Sequence, residues 1–77
     1  MIKVGDIVLP IDEREFLFSH HNEMAFEADI VEIFWDDIPG IVIKTLDFDP
    51  PREYYHIQIS TGEVIGWTYS DFVELIS

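Results

Sequence analysis

Hydrophobic residues along this chain occur in short runs, separated by turn-forming residues such as Pro10, Pro39-Gly40 and Pro50-Pro51. Proline cannot donate to a strand ladder, and Pro-Gly pairs mark turns, so these residues end regular structure. Runs rich in β-branched and aromatic residues are typical of strands. The pattern predicts an all-β fold, with a buried strand at 41–46 and further strands near residues 3–9, 29–35, 54–59, 65–69 and 73–76.

The segment before the second predicted strand allows two interpretations. Met24, Ala28, Val31 and Trp35 are spaced as one face of a helix. The β-branched residues at 30, 31 and 33 favour a strand instead. We predict a strand from residue 29, with a short helical turn just before it as an alternative. Residues 19–35 are therefore compatible with either helix or strand.

The clearest alternation lies near the C-terminus, in residues 54–59. Tyr55, Ile57 and Ile59 alternate with polar or amphipathic residues, which is the period of a strand with one buried face. In the next run, residues 65, 67 and 69 (Ile, Trp and Tyr) share one face. The two runs therefore predict a hairpin across residues 54–69.

Two loop lengths are compatible with this hairpin. A two-residue loop pairs Gln58 with Ile65, whereas a three-residue loop at 60–62 pairs Ile57 with Ile65 and Tyr55 with Trp67. A slip of one residue moves a whole set of side chains to the other face, so matching the apolar faces favours the three-residue loop. Such a loop needs a residue at positive φ, and glycine at position 62 supplies it.

Length and composition indicate one domain over residues 1–77. Hydrophobic residues make up 48%, including six Phe, three Tyr and two Trp. A body this small cannot hide so much apolar surface completely, so we expect an exposed apolar patch used for a partner or for self-association. There is no cysteine, which excludes disulfides and thiolate metal sites and fits a reducing cytoplasm.

The charge is strongly acidic, with 16 acidic residues against 4 basic ones and a net charge of −12. Direct binding to nucleic acid or to a membrane surface is disfavoured, because both depend on Lys and Arg. The acidic surface either keeps the protein dispersed or meets a basic protein partner. Neither a signal peptide nor an apolar stretch of membrane-spanning length is visible, so we expect an intracellular, soluble protein.

Catalytic and metal-binding motifs are missing from the sequence. The adjacent pair His20-His21 has no third ligand at a diagnostic spacing, and Asp36-Asp37 and Asp47-Phe48-Asp49 fit turn chemistry better than a calcium loop. No nucleophile motif and no phosphate-binding glycine loop occurs. We therefore expect no enzyme activity, no metal site and no cofactor.

Fold motifs in the chain carry a family resemblance. They are Lys3-Val4-Gly5-Asp6-Ile7-Val8, Gly40-Ile41-Val42-Ile43, Ser60-Thr61-Gly62-Glu63-Val64-Ile65-Gly66-Trp67 and Ser70-Asp71-Phe72-Val73-Glu74-Leu75-Ile76. The pattern is similar to small SH3-like proteins of tailed, especially marine, bacteriophages, mostly of unknown function. It implies an SH3-like barrel of five to six short strands and a place in the host cytoplasm. It covers residues 1–9 and 40–77, which makes residues 11–37 an insertion, and it brings no catalytic residue.

Aromatic and acidic residues are the candidate binding site. Tyr54 falls on a polar strand face beside His56 and Gln58, as an interface residue does. Aromatic rings can also form a cage for a methylated cation, as in Tudor-type barrels, whereas Tyr55, Trp67 and Phe72 can simply fill the core. The candidate residues are Trp35, Tyr54, His56, Trp67, Tyr69, Asp36 and Asp37.

Three roles fit these features. The first is a phage accessory module that docks on a host or phage protein through its aromatic and acidic surface. The second is a small structural or assembly protein, a virion component, that self-associates. The third is an acidic DNA mimic that inhibits a DNA-handling protein.

Overall fold

The computed structural model of the chain describes residues 1–11, 17–19, 30–32 and 38–76, with only the backbone of 30–32. Seven strands are present in these segments: β1 (Ile7–Pro10), β2 (Leu17–Phe18), β3 (Ile30–Glu32), β4 (Gly40–Leu46), β5 (His56–Ser60), β6 (Ile65–Tyr69) and β7 (Val73–Leu75). A 3-10 helix, Ser70–Phe72, separates β6 from β7. The prediction of an all-β fold is confirmed. No helix in the described segments is long and apolar enough to cross a membrane.

The strands form one antiparallel sheet in the order β3-β2-β6-β5-β4-β1-β7. The last strand therefore lies beside the first, and β4, β5 and β6 follow one another as a meander. In the described segments the sheet has seven strands, one more than the upper end of the expected five to six. The additional strand is β2, which lies with β3 in the insertion at 11–37, and the two extend the sheet beyond β6.

The hydrophobic core joins strands from opposite ends of this sheet. Leu17 on β2 and Val73 on β7 belong to one buried cluster with Val8, Val42, Ile57 and Ile59. In the sheet order β2 and β7 are five strand spacings apart, about 24 Å in a flat sheet at about 4.8 Å per strand. One buried cluster that joins strands from both ends of a single sheet is typical of a sheet that coils on itself, as in a barrel.

The first predicted strand begins later than expected. Residues 3–6 form a turn in which Gly5 has φ 95, and the Asp6 N–H donates to the Lys3 carbonyl at 3.1 Å. The turn is tied to β4, because the Gly5 N–H donates to the Val42 carbonyl and the Val42 N–H donates to the Asp6 carbonyl. A positive φ at Gly5 is incompatible with extended strand, which explains the shift. The strand ends at Pro10, as predicted.

The predicted position of strand β4 is confirmed, but its predicted burial is found on one face only. Gly40 and Val42 are buried, whereas Ile41 is 49% and Ile43 is 40% exposed. The strand has one face on the core, and the register shifts between Val42 and Lys44, so Ile43 lies at a bulge. The predicted buried strand at 41–46 is therefore buried on one face and not on both.

The prediction at 29–35 is confirmed over the three residues of β3, Ile30–Glu32. A strand at Val31 rules out the helical stripe at that position. Met24, Ala28 and Trp35, which carried the rest of the helical alternative, lie outside the described residues.

The register of the β5–β6 hairpin differs from both predictions. Ser60 pairs with Ile65, Gln58 with Trp67 and Ile57 with Thr68, so the loop spans the four residues 61–64. It is closed by the Thr61 N–H, which donates to the Val64 carbonyl at 3.0 Å. The predicted pairing of Ile57 with Ile65 was therefore wrong, as was the loop of three residues. The predicted positive φ at Gly62 is confirmed at 96.

Packing explains this register. Ile57 and Ile59 are fully buried, and their partners on the core side of β6 are Thr68 and Gly66. A coiled sheet of this size has little room inside, so a small residue opposite each isoleucine fits where an aromatic ring would not. The larger side chains of β6, Trp67 and Tyr69, are directed to the outer face.

Gly62→Val is expected to lower the free energy of unfolding by about 1–2 kcal/mol, because a β-branched residue at positive φ is strained. None of the described atoms lies within 4 Å of the position that a Cβ would take, so the effect comes from the backbone. Chemical denaturation measures it. Glu63→Val, in the same loop but without a positive φ, is the control and is expected to change stability by less than about 0.5 kcal/mol.

Tyr55 joins three parts of the chain. Its hydroxyl donates to the Ile2 carbonyl at 2.6 Å and accepts from the Ile2 N–H at 2.8 Å. The Tyr55 N–H donates to Ser70 Oγ at 3.0 Å, and the Ser70 N–H donates to the Tyr55 carbonyl at 2.8 Å. The ring packs against the core, as predicted. Tyr55 thus holds the N-terminal segment and the 3-10 helix to β5.

Tyr55→Phe is expected to destabilise the domain by about 1–2 kcal/mol, since two hydrogen bonds are lost and water replaces them only in part. Thermal unfolding followed by circular dichroism gives the value. The matched control is Tyr54→Phe, because the Tyr54 hydroxyl accepts an exposed and long bond of 3.5 Å from Arg52. Equal losses in the two variants would contradict a tethering role for the Tyr55 hydroxyl.

An aromatic cluster as the candidate functional site

A cluster of aromatic rings covers the outer face of β5 and β6. Because Ile57 and Ile59 point into the core, the alternate residue His56 points outward, next to Tyr69 on β6. Loop residues after β4 and before β5, together with the 3-10 helix, add further rings. The aromatic cluster consists of Phe48, Tyr54, His56, Trp67, Tyr69 and Phe72.

Phe48 lies at the centre of the aromatic cluster. It is 7% exposed although it lies in a loop. Its ring centroid is 4.3 Å from that of His56, 5.2 Å from that of Tyr54 and 6.1 Å from that of Tyr69. Offset and edge-to-face contacts at these distances are favourable beyond the area they bury. The cluster is thus a second hydrophobic centre on the far side of the sheet from the core.

The outer edge of the cluster is a row of three rings, Tyr54, Tyr69 and Phe72, which we call the aromatic ridge. Tyr54 and Tyr69 are half-buried and meet edge to face, with centroids 5.5 Å apart and ring planes at 89°. Tyr69 and Phe72 meet in the same way at 5.3 Å and 89°. Phe72 is 38% exposed. The ridge therefore offers apolar ring surface that is held at fixed angles.

His56 has a structural position inside the cluster. The outward face predicted for it is confirmed, but the side chain is buried there, because Phe48 and Tyr69 cover it. Its Nδ1 lies 3.3 Å from the Leu46 carbonyl, which can only accept, so Nδ1–H donates. Trp67 is buried as well, edge to face with His56 at 6.5 Å. Both residues support the ridge from below and are not themselves contact surface.

Exposed charged residues lie in the segments that carry the aromatic ridge. The Arg52 guanidinium lies 4.3 Å from the centroid of the Phe48 ring, in cation–π geometry. Asp47, Asp49 and Glu53 in the same loop are exposed, and so is Asp71 in the 3-10 helix. Carboxylates outnumber the guanidinium here, so the border of the ridge is acidic.

The structure brings together four of the candidate residues predicted from sequence: Tyr54, His56, Trp67 and Tyr69. Trp35, Asp36 and Asp37 lie outside the described residues, as do His20 and His21. The alternative that Trp67 and Phe72 fill the barrel core is wrong, because both belong to the aromatic cluster on the other face. The rings pack on one another, and Arg52 already covers Phe48, so the described rings form a filled cluster and not an open cage.

Sequence reasoning missed Phe48 and Arg52. Phe48 stands between two aspartates and ahead of two prolines, in a segment that indicated only a rigid loop. A single apolar residue in such a loop is a signal for packing outside the main core, because the loop has no other way to bury surface. Among the described residues, no group of three or more His, Asp or Glu could hold a metal ion.

Phe48→Ala is expected to lower the free energy of unfolding by about 3 kcal/mol, since it leaves a cavity beneath three rings. Phe72→Ala is expected to lower it by about 1 kcal/mol, because Phe72 is already partly exposed and its removal leaves no enclosed cavity. Urea denaturation of both variants gives the comparison. A smaller loss for Phe48→Ala than for Phe72→Ala would show that Phe48 is not the centre of the cluster.

A comparison with protein-family models, with curated proteins and with solved structures found no match for this chain. Its role is therefore inferred from the residues and their geometry.

Proposed function

We propose that this protein is a non-enzymatic binding module that docks on a protein partner through the aromatic ridge and its acidic border. The observation that carries the proposal is the ridge itself, in which Tyr54, Tyr69 and Phe72 present partly exposed rings in edge-to-face contact. Aromatic residues are enriched in protein interfaces and dominate their binding energy. Three adjoining rings on one small domain supply such an anchor.

The ridge is pre-organised for contact. Beneath it lie the buried rings of Phe48, His56 and Trp67, which are fixed by β5, by β6 and by the loop between β4 and β5. Rings that are already held in place lose little conformational freedom when a partner arrives, so more of the contact energy appears as affinity. This favours a docking role over a role in stability alone.

The acidic border favours a basic partner. The exposed carboxylates of Asp47, Asp49, Glu53 and Asp71 lie in the segments that carry the ridge. A net charge of −12 attracts a positively charged protein over long range and speeds its encounter. Arg52 over Phe48 is an example, within the chain, of a guanidinium packed on a ring of the aromatic cluster. An arginine or lysine of the partner can pack on the ridge in the same way.

The resemblance to small SH3-like proteins of tailed bacteriophages supports a more specific setting. In that setting the chain is a phage accessory protein that acts on a host or phage protein inside the host cell. Nucleic acid is not the direct partner, because a net charge of −12 repels the phosphate backbone.

Selection of a random peptide library on the immobilised protein tests the proposal. The selected peptides are expected to be rich in Lys and Arg, and their affinity is expected to fall steeply as salt rises, because exposed charges are screened. Tyr54→Ser and Phe72→Ser are each expected to weaken binding by about tenfold. Ile65→Ser, an exposed residue at the other end of β6, is the matched control and is expected to leave binding unchanged.

Selected peptides that lack basic residues, or affinity that does not depend on salt, would contradict the acidic part of the proposal. If both ridge variants bind the peptides as strongly as the unchanged protein does, the aromatic part of the proposal is contradicted. Circular dichroism of each variant confirms that a loss of binding does not come from unfolding.

A further inference from the structure

A row of isoleucines crosses the outer face of the sheet, away from the aromatic ridge. Ile7 on β1 pairs with Ile41 on β4, Ile41 pairs with Ser60 on β5, and Ser60 pairs with Ile65 on β6. On the other side of β1, the Ile76 N–H donates to the Ile7 carbonyl. Directly opposed residues of antiparallel strands share a face. These residues, Ile76, Ile7, Ile41, Ser60 and Ile65, form what we call the isoleucine row.

The isoleucine row is exposed and continuous. Ile76 is 45%, Ile41 is 49% and Ile65 is 54% exposed, and Ile7 between them is partly exposed. The row spans five neighbouring strands, about 19 Å at about 4.8 Å per strand. Ile43, at the bulge of β4, adds exposed apolar surface beside it. An exposed stripe of this length that is apolar except at Ser60 marks an interaction surface.

The charges beside the row have opposite sign on its two long sides. Glu74 on β7 and Glu63 before β6 lie on one side, since each precedes its row residue by two positions on strands of the same direction. Lys44, paired with Gln58, lies on the other side. All three charged side chains are exposed, and no acidic residue stands in the row itself.

This arrangement is complementary to itself. A rotation of 180° about an axis along the row places the row of one copy on the row of another. The same rotation brings the Lys44 side of each copy against the side that carries Glu63 and Glu74 in the other. On β4, Lys44 then lies between the two glutamates, which are on β6 and β7. Two-fold contacts of this isologous kind are the commonest in homo-oligomers.

We propose that the isoleucine row is the interface of a homodimer, in which a second copy of this chain packs its own row across it. The curvature of the coiled sheet confines contact to the middle strands, so the buried area is at the low end for specific interfaces and the dimer is weak. This surface is separate from the aromatic ridge. The dimer therefore stands or falls independently of the proposed docking function.

Salt gives the dimer a distinctive behaviour. Each copy carries a net charge of −12, so two copies repel one another at low ionic strength. Screening reduces this repulsion, while burial of isoleucine is not weakened by salt. Association through the row is therefore expected to strengthen as salt rises.

Sedimentation equilibrium of the purified protein, over a range of concentrations at low and high sodium chloride, tests the proposal. The mass is expected to rise from one chain towards two with concentration, and more strongly at high salt. Ile41→Glu is expected to weaken the association constant by about tenfold or more, because it places a carboxylate in the centre of the contact. Should the glutamate variant fail to fold, Ile41→Thr serves instead. It keeps a β-branched residue and is also expected to weaken the association constant.

The matched control is Ile11→Glu. Ile11 is 63% exposed but lies beyond the end of β1, about 13 Å along the chain from Ile7. The Ile11→Glu substitution is expected to leave the association constant unchanged when its added charge is screened at high salt. A single-chain mass at every concentration and salt would overturn the proposal. The row would then be a surface for a protein other than a second copy of this chain. Association that survives both Ile41 variants, or that weakens with salt, would overturn it equally.

Discussion

The pairing of Ile57 with Thr68 and of Ile59 with Gly66 is the constraint on which the rest of the structure depends. Two fully buried isoleucines on β5 fill the interior of a narrow coiled sheet, and the residues opposite them on β6 are small. Once Gly66 and Thr68 take the inner positions, alternation directs Trp67 and Tyr69 outward. The aromatic cluster therefore follows from core packing, and so does every surface on the outer face.

A chain of 77 residues with 48% hydrophobic residues has more apolar surface than one small interior can take. The structure accommodates the excess in a second centre around Phe48, in which a loop residue is as buried as a strand residue. Two centres on opposite faces hold β5 from both sides, since Ile57 packs on one and His56 on the other. Part of what remains uncovered forms the aromatic ridge at one end of the β5–β6 hairpin and the isoleucine row at the other.

Much of the fold follows from the sequence by alternation alone. The core face of β5, the end of β1 at Pro10 and the positive φ of Gly62 could be derived, because each depends on one residue type in a local pattern. The register of the β5–β6 hairpin could not be derived in this way. Matching Trp67 to the core is reasonable by hydrophobicity, but the available volume favours Thr68, and volume is a property of the closed sheet. The predicted burial of Ile41 and Ile43 was wrong for a related reason, because a run of apolar residues does not show which face of the strand is covered.

The candidate site was partly predictable for the same reason. Tyr54, His56, Trp67 and Tyr69 were found as residue types suited to binding, yet their grouping depends on Phe48, which a loop of aspartates and prolines conceals. The true register also sets how the two surfaces relate. His56 and Ser60, at opposite ends of β5, are about 13 Å apart along the strand. The proposed dimer at the Ser60 end leaves both ridges open at the other end, so the proposed basic partner gains avidity without any new contact if it carries two basic segments.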